Sequence, residues 1–401
     1  MNRSIMKIVL AFIRSLLAIC VAVAVSSPAH AERPRPSAAK ARPQGEGEIV
    51  MTVRASPQAE LVSSLEISNS ALLDQLSQAQ EEAASAAPLI SDIEVEIRGR
   101  GAPRAYRLDR TGALRDAASA RVYRPAPDAA RRLLAYAEAL RGRHYGRLIP
   151  WSAARTIVKR KSVFTIVDLE SGLSFRVQRR AGSRHADVQP LTRQDSKIMK
   201  EIYGGKWSWD RRAILVRTEQ TTIAASMNGM PHGGDGIPGN GFKGHFCVHF
   251  LDSTSHRSDS PDPEHQLMVY KATGNLRGYF DAASPLVQAR GFVGALNGKD
   301  EQMLRQLWLD APPERMAAYA EWMASLRSIA VKSARTDGRI RRAREQEPPD
   351  SLAAEIRLPI SLRMKGERTR NVELTFVFKR DSPHEPWRLV DVAADPSNLM
   401  P

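Results

Sequence analysis

The chain has 401 residues, with 59 lysines and arginines against 44 aspartates and glutamates, a formal charge of +15, and only two cysteines. The basic balance points to anionic partners such as envelope polymers or phospholipid headgroups. No zinc finger, helix-turn-helix or aromatic-basic platform accompanies it, so nucleic acid is not the expected partner.

The opening "MNRSIMKIVLAFIRSLLAICVAVAVSSPAHA" carries Arg3 and Lys7, an apolar run from Ile8 to Val25, and the small-residue site Ala29-His30-Ala31. That pattern predicts a signal peptide over 1–31 and a secreted, periplasmic mature chain; an uncleaved anchor is the alternative reading. No later stretch is apolar enough to span a bilayer, so no transmembrane segment is expected after cleavage. Cleavage removes three cations, leaving +12, and removes Cys20, leaving Cys247 as a lone thiol. A lone thiol in an oxidising compartment is inert and buried, a nucleophile, or a metal ligand. Residues 32–48, "ERPRPSAAKARPQGEGE", read as a disordered tether.

The expected fold class is α+β in several domains, with a β-rich central domain over 149–275 flanked by small α+β domains at 49–148 and 284–396. In the first, "EIVMTVRA" and "DIEVEIRG" read as strands, and "ISNSALLDQLSQAQEEAA" as a helix capped by Ser68 or Asn69. "AYRLDRTGAL" reads as a hairpin turning at Thr111-Gly112, and "DAARRLLAYAEALRG" as a helix stopping at Gly142. In the second, "FTIVDLESGLSFRVQRR" is a strand pair and Thr192 caps a helix that Gly204 ends. "AILVRTEQTTIAASMNGMPH" adds two strands, and a helix starts near Pro263. "KWSWDRR" suggests core packing of Trp207 and Trp209, with stacking on sugar rings as the alternative; "GGDGIPGNG" lacks the Lys-Ser/Thr ending of a phosphate loop and reads as a lid. The third domain has helices "PLVQARGFVGALNGKD", "EQMLRQLWL" and "PERMAAYAEWMASLRSIAV", then three alternating strands.

Six of the nine histidines fall between His185 and His265. If "HFCVHF" is a strand, its period of two puts His245, Cys247 and His249 on one face, lining a cleft, and Phe246, Val248 and Phe250 on the other. His256 and His265 read as surface residues or helix-end contacts. The order "HADV…SMNGMPH…GHFCVHF…SxxH" resembles a bacterial envelope domain found beside peptidoglycan-binding modules, which implies a cell-wall context. The third domain resembles the cone-shaped fold of the ketosteroid-isomerase superfamily.

Two chemistries fit the cluster. His232 followed by His245-x-Cys247 is similar to the L,D-transpeptidase signature, with Gly244, Phe246 and His249 standing where that family has a hydroxyl residue, a glycine and an arginine. The resemblance implies Cys247 as nucleophile, with a histidine lowering its pKa and taking its proton; His245 is the expected base, with His232 the upstream histidine. The second chemistry is a zinc site drawn from His185, Asp187, His245 and His249, similar in composition to zinc peptidases of wall peptides, with Asp195 a further candidate. A non-enzymatic wall-binding or metal-binding module is the third possibility. The expected partner in each case is peptidoglycan or another anionic envelope polymer.

Overall fold

Alternation of apolar and polar residues in the first strands builds an antiparallel sheet with one covered face. A computed structural model describes residues 47–83, 91–99, 102–116, 119–234, 236–255, 260–332 and 350–394. The leader, all but the end of the tether, and His256 lie outside them. The fold is α+β, and among the described residues no helix is long and apolar enough to cross a membrane.

The first sheet contains β1 (Glu48–Val53), β2 (Ser63–Ile67), β3 (Gln80–Ala83), β4 (Ile93–Arg98), β5 (Arg104–Leu108), β6 (Leu114–Asp116) and β7 (Arg121–Arg124) in the order β2-β1-β4-β5-β6-β7-β3. Helix α1 (Ser70–Ser77) is capped by Asn69, whose side chain accepts from Leu72 N. It stops short of the expected span, because Gln80–Ala83 pairs in register with β7. Helix α2 (Pro127–His144) runs past Gly142 and buries Ala129, Leu133, Ala137 and Leu140, a stripe at helical spacing. β2 and β7 are strands that the residue pattern did not reveal.

Six antiparallel strands then close into a barrel: β8 (Val163–Asp168), β9 (Ser174–Ala181), β10 (Ala186–Pro190), β11 (Arg212–Arg217), β12 (Thr222–Met227) and β13 (Phe246–His249), ordered β10-β13-β12-β11-β8-β9. Inward positions Phe164, Ile166, Val188, Ile214, Val216, Phe246 and Val248 share one core. The alternate positions Val167, Ala213, Leu215 and Ala224 face outward and join the core beneath the first sheet. Strand period therefore gives the barrel two different apolar neighbours, its own interior and the preceding layer. Helices α3 (Trp151–Ile157) and α4 (Arg193–Ile202) flank the barrel, and Thr192 caps α4 as expected.

Helix α5 (Pro263–Lys271) lies across the outer face of β12, β11 and β13. Its Val269 belongs to the first core and its Leu267 to the third. The third core is formed by α6 (Leu276–Ala282), α7 (Pro285–Gly298), α8 (Glu301–Leu307) and α9 (Pro313–Ser325) against a sheet of β14 (Leu326–Val331), β15 (Ala353–Met364), β16 (Arg370–Lys379) and β17 (Arg388–Ala394). The expected helix through Val331 ends at Ser325. "LRSIAV" is a strand whose register shifts between Leu326 and Ser328. That bulge buries Leu326 and Ile329, three residues apart, and so imitates helical spacing.

Candidate functional site

The outward face of β10, β13 and β12 carries the clustered polar residues. Asp187 is paired with Cys247 across β10 and β13, and Ser226 with His249 across β12 and β13. Phe246, Val248 and Phe250 point into the barrel core, so the expected alternation holds. The polar face does not line an open cleft, however: α5 covers it, and Cys247 is only 4 % exposed. His265 sits in the first turn of α5, a helix-end position, but it is buried and not at the surface; its ring stacks 3.8 Å from that of His249, and its Nδ1 lies 2.8 Å from Ser226 Oγ. His249 stacks in turn on His185 at 4.5 Å. The α5 cap holds this arrangement: Asp262 accepts from Glu264 N and His265 N, and Arg211 binds both Asp262 and Glu264.

A short backbone bridge brings the second group together. His232 N donates to His245 O at 3.0 Å and His245 N to His232 O at 2.8 Å. Glycine is required on both sides of the bridge. Gly244 has φ +80°, and a Cβ there would sit 2.2 Å from His232 O; a Cβ on Gly233, at φ +74°, would sit 2.2 Å from His245 Cε1. The bridge delivers His232, not His245, to the thiol: His232 Nε2 lies 3.3 Å from Cys247 Sγ. Its Nδ1 is 2.9 Å from Met230 O. A carbonyl only accepts, so Nδ1 carries a hydrogen and Nε2 is the ring nitrogen turned to the thiol. His245 packs edge-on against His232 at 4.6 Å, and its Nε2 is 3.7 Å from Asp187 Oδ1.

The thiol itself departs from expectation. Burial, then the charge of Asp187, push it up to about 12, against a smaller opposing effect of a hydrogen bond from Asn228. Cys247 therefore rests as a thiol and not as a preformed thiolate. Burial also holds His249 well below the usual imidazole range, reinforced by the neighbouring His265 and His185. Burial, then Arg211 and His185, do the same for His265.

Among the candidate metal ligands, His185 Nε2 lies 3.2 Å from Asp187 Oδ1, while its Nδ1 donates to Thr254 O at 2.7 Å. The group whose ligand atoms all lie within 4.8 Å of one another is His185, Cys247 and His249, so Cys247 enters a set expected to contain Asp187 and His245 instead. Asp195 is occupied elsewhere: it accepts from Thr192 N, Thr192 Oγ1 and Arg176 N as part of the α4 capping box. Asn228, Met230 and Ser226 were missed as site residues, although the quoted "SMNGMPH" contains all three. Trp207 packs edge-on to Phe242, as core packing requires, but Trp209 is 55 % exposed.

A separate cleft of about 570 Å³, lined by Asp92, Arg141, Tyr145 and Arg277 among others, contains none of the clustered histidines. Two of its three arginines are engaged, Arg141 with Asp92 and Arg277 with Asp281, and Arg110 is the third. In comparisons with known proteins, no family model matches the chain and no curated protein matches its sequence.

Proposed function

We propose that the protein is a secreted cell-envelope enzyme that transfers acyl groups on peptidoglycan peptides, with Cys247 as nucleophile and His232 as its base. The observation that carries this reading is the 3.3 Å approach of His232 Nε2 to Cys247 Sγ, with Nδ1 held on Met230 O. As a peptide carbonyl arrives, the thiol proton moves to Nε2 and sulfur bonds to the carbonyl carbon. Collapse of the tetrahedral adduct breaks the C–N bond; the leaving amine takes the proton from Nε2 and a thioester remains on Cys247. A second amine then attacks the thioester, gives its proton to Nε2, and the sulfur leaves to be reprotonated. The raised thiol pKa suits this order, because charge on sulfur forms only with a base and an electrophile in place.

The basic surface near the barrel end supports an anionic envelope partner. Arg155, Lys159, Arg160, Lys161 and Arg180 are exposed, and no acidic residue lies between Trp151 and Val167 or between Ser174 and Ala186. Buried Arg179 ties this surface together by donating to Arg155 O, Val158 O and Gly182 O.

The proximity of His185, Cys247 and His249 favours a second reading, a zinc-binding centre. Two imidazoles and a thiolate suit zinc, and His185 donating Nδ1–H to a carbonyl matches the outer-shell pattern of a metal-bound histidine. Zinc there would supply Lewis acidity. Mass spectrometry of the protein after incubation with a wall tetrapeptide, alongside elemental analysis, separates the two. A covalent adduct on Cys247 that is absent in Cys247→Ala, with no stoichiometric metal, is the expected result. About one zinc per chain, lost in His249→Ala, and no adduct would retire the thiol mechanism.

A further inference from the structure

Trp209 is the most exposed of the large apolar residues described, and it stands at the candidate site. Its ring centroid is 5.2 Å from that of His232, with the planes inclined by 37°. The residues next to it are tied to three neighbouring segments. Gly229 N donates to Ser208 O at 2.8 Å, tying the segment to the loop that carries His232. Asn297 Nδ2 donates to Asp210 Oδ1 at 3.1 Å, tying it to α7, and Arg211 binds Asp262 and Glu264 at the start of α5. With 55 % of Trp209 exposed, much of its flat apolar ring is open to solvent.

We propose that Trp209 is a substrate-positioning residue whose indole face receives the peptide of the acyl donor. This rests on the reading of Cys247 as nucleophile and His232 as base. A carbonyl attacked by Cys247 must lie beside His232, and one imidazole's width away the chain of the donor meets the indole. Amide planes and short aliphatic side chains next to the reacting bond stack on such a face. The pyranose of a wall glycan is attached at the far end of the stem peptide, several residues away at about 3.3–3.6 Å per extended residue. The contact is therefore with peptide, not sugar.

The test measures binding without turnover. In the Cys247→Ala background, a disaccharide-free wall tetrapeptide is titrated by calorimetry against the parent, Trp209→Ala and Trp209→Phe. The expected result is affinity weakened about tenfold or more by Trp209→Ala and largely restored by Trp209→Phe. In the protein with Cys247 intact, kcat/KM falls in Trp209→Ala while the rate of thiol alkylation by iodoacetamide is unchanged, which a merely structural role would not give. Equal affinities for parent and Trp209→Ala would overturn the proposal alone. So would a loss seen only when the disaccharide is attached, which would make the contact a sugar platform. A parent that binds neither ligand would overturn the acyl-transfer reading, and this proposal with it.

Discussion

Replacing His232 with glutamine is expected to lower acyl transfer by about 10²- to 10⁴-fold, the range for loss of a positioned general base. His245→Gln should cost less, because His245 braces the His232 ring edge-on while His232 alone is assigned the proton. A pH profile of the thiol provides a second readout. With Cys247 pushed up to about 12 from its ordinary value of 9.0, the thiolate fraction rises tenfold per pH unit across the neutral and alkaline range. Iodoacetamide alkylation, followed by intact mass, should climb steadily from pH 7 to 11. Asp187→Asn should move the curve to lower pH, since removing a nearby negative charge makes the thiolate easier to form. A rate already level by pH 8 would indicate a standing thiolate and would sink the assignment of His232 as a base acting during attack.

The assignment of that base shows where residue patterns stop being informative. Period two in "HFCVHF" is a local property, and it correctly separates Phe246 and Val248 in the barrel core from Cys247 and His249 outside it. Which histidine reaches the sulfur depends on a two-residue bridge, His232 to His245, that closes over a long glycine-rich loop. The glycines are visible in the sequence, but the register they permit is not. The burial of His265 was hidden for a related reason: a helix that caps a barrel face is placed by non-local packing, here Leu267 and Val269 sitting in two different cores. Helical spacing misled at Leu326 and Ile329, because a bulge can bury residues three apart just as a helix does.

Lys271→Met is expected to destabilise the protein by about 3–5 kcal/mol, the cost of breaking a buried ion pair by removing one partner. Lys271 is 8 % exposed, and its ammonium lies 2.5 Å from Glu170 Oε1 and also binds Asp300. The three charges belong to different layers. Glu170 is in the β8–β9 turn, Lys271 ends α5 and Asp300 caps α8. Ser56 of the first layer adds a hydroxyl that donates to Glu170 Oε2 at 2.6 Å. The two carboxylates hold the Lys271 ammonium above the usual lysine range despite its burial, so it stays charged at any physiological pH. Without it, the Glu170 and Asp300 carboxylates face each other with no cation between them, and the seam shared by barrel, α5 and the third core opens. Denaturant unfolding monitored by tryptophan fluorescence should show the loss, and the triple variant Lys271→Met, Glu170→Gln, Asp300→Asn should recover most of it, because no uncompensated charge remains. An unchanged midpoint in Lys271→Met would mean that water reaches the carboxylates, and that apolar packing of Leu267 and Val269 holds the seam without them. Because α5 also carries His265 against His249, a real loss at Lys271 should be accompanied by weaker protection of Cys247 from alkylation, linking the charged seam to the order of the site.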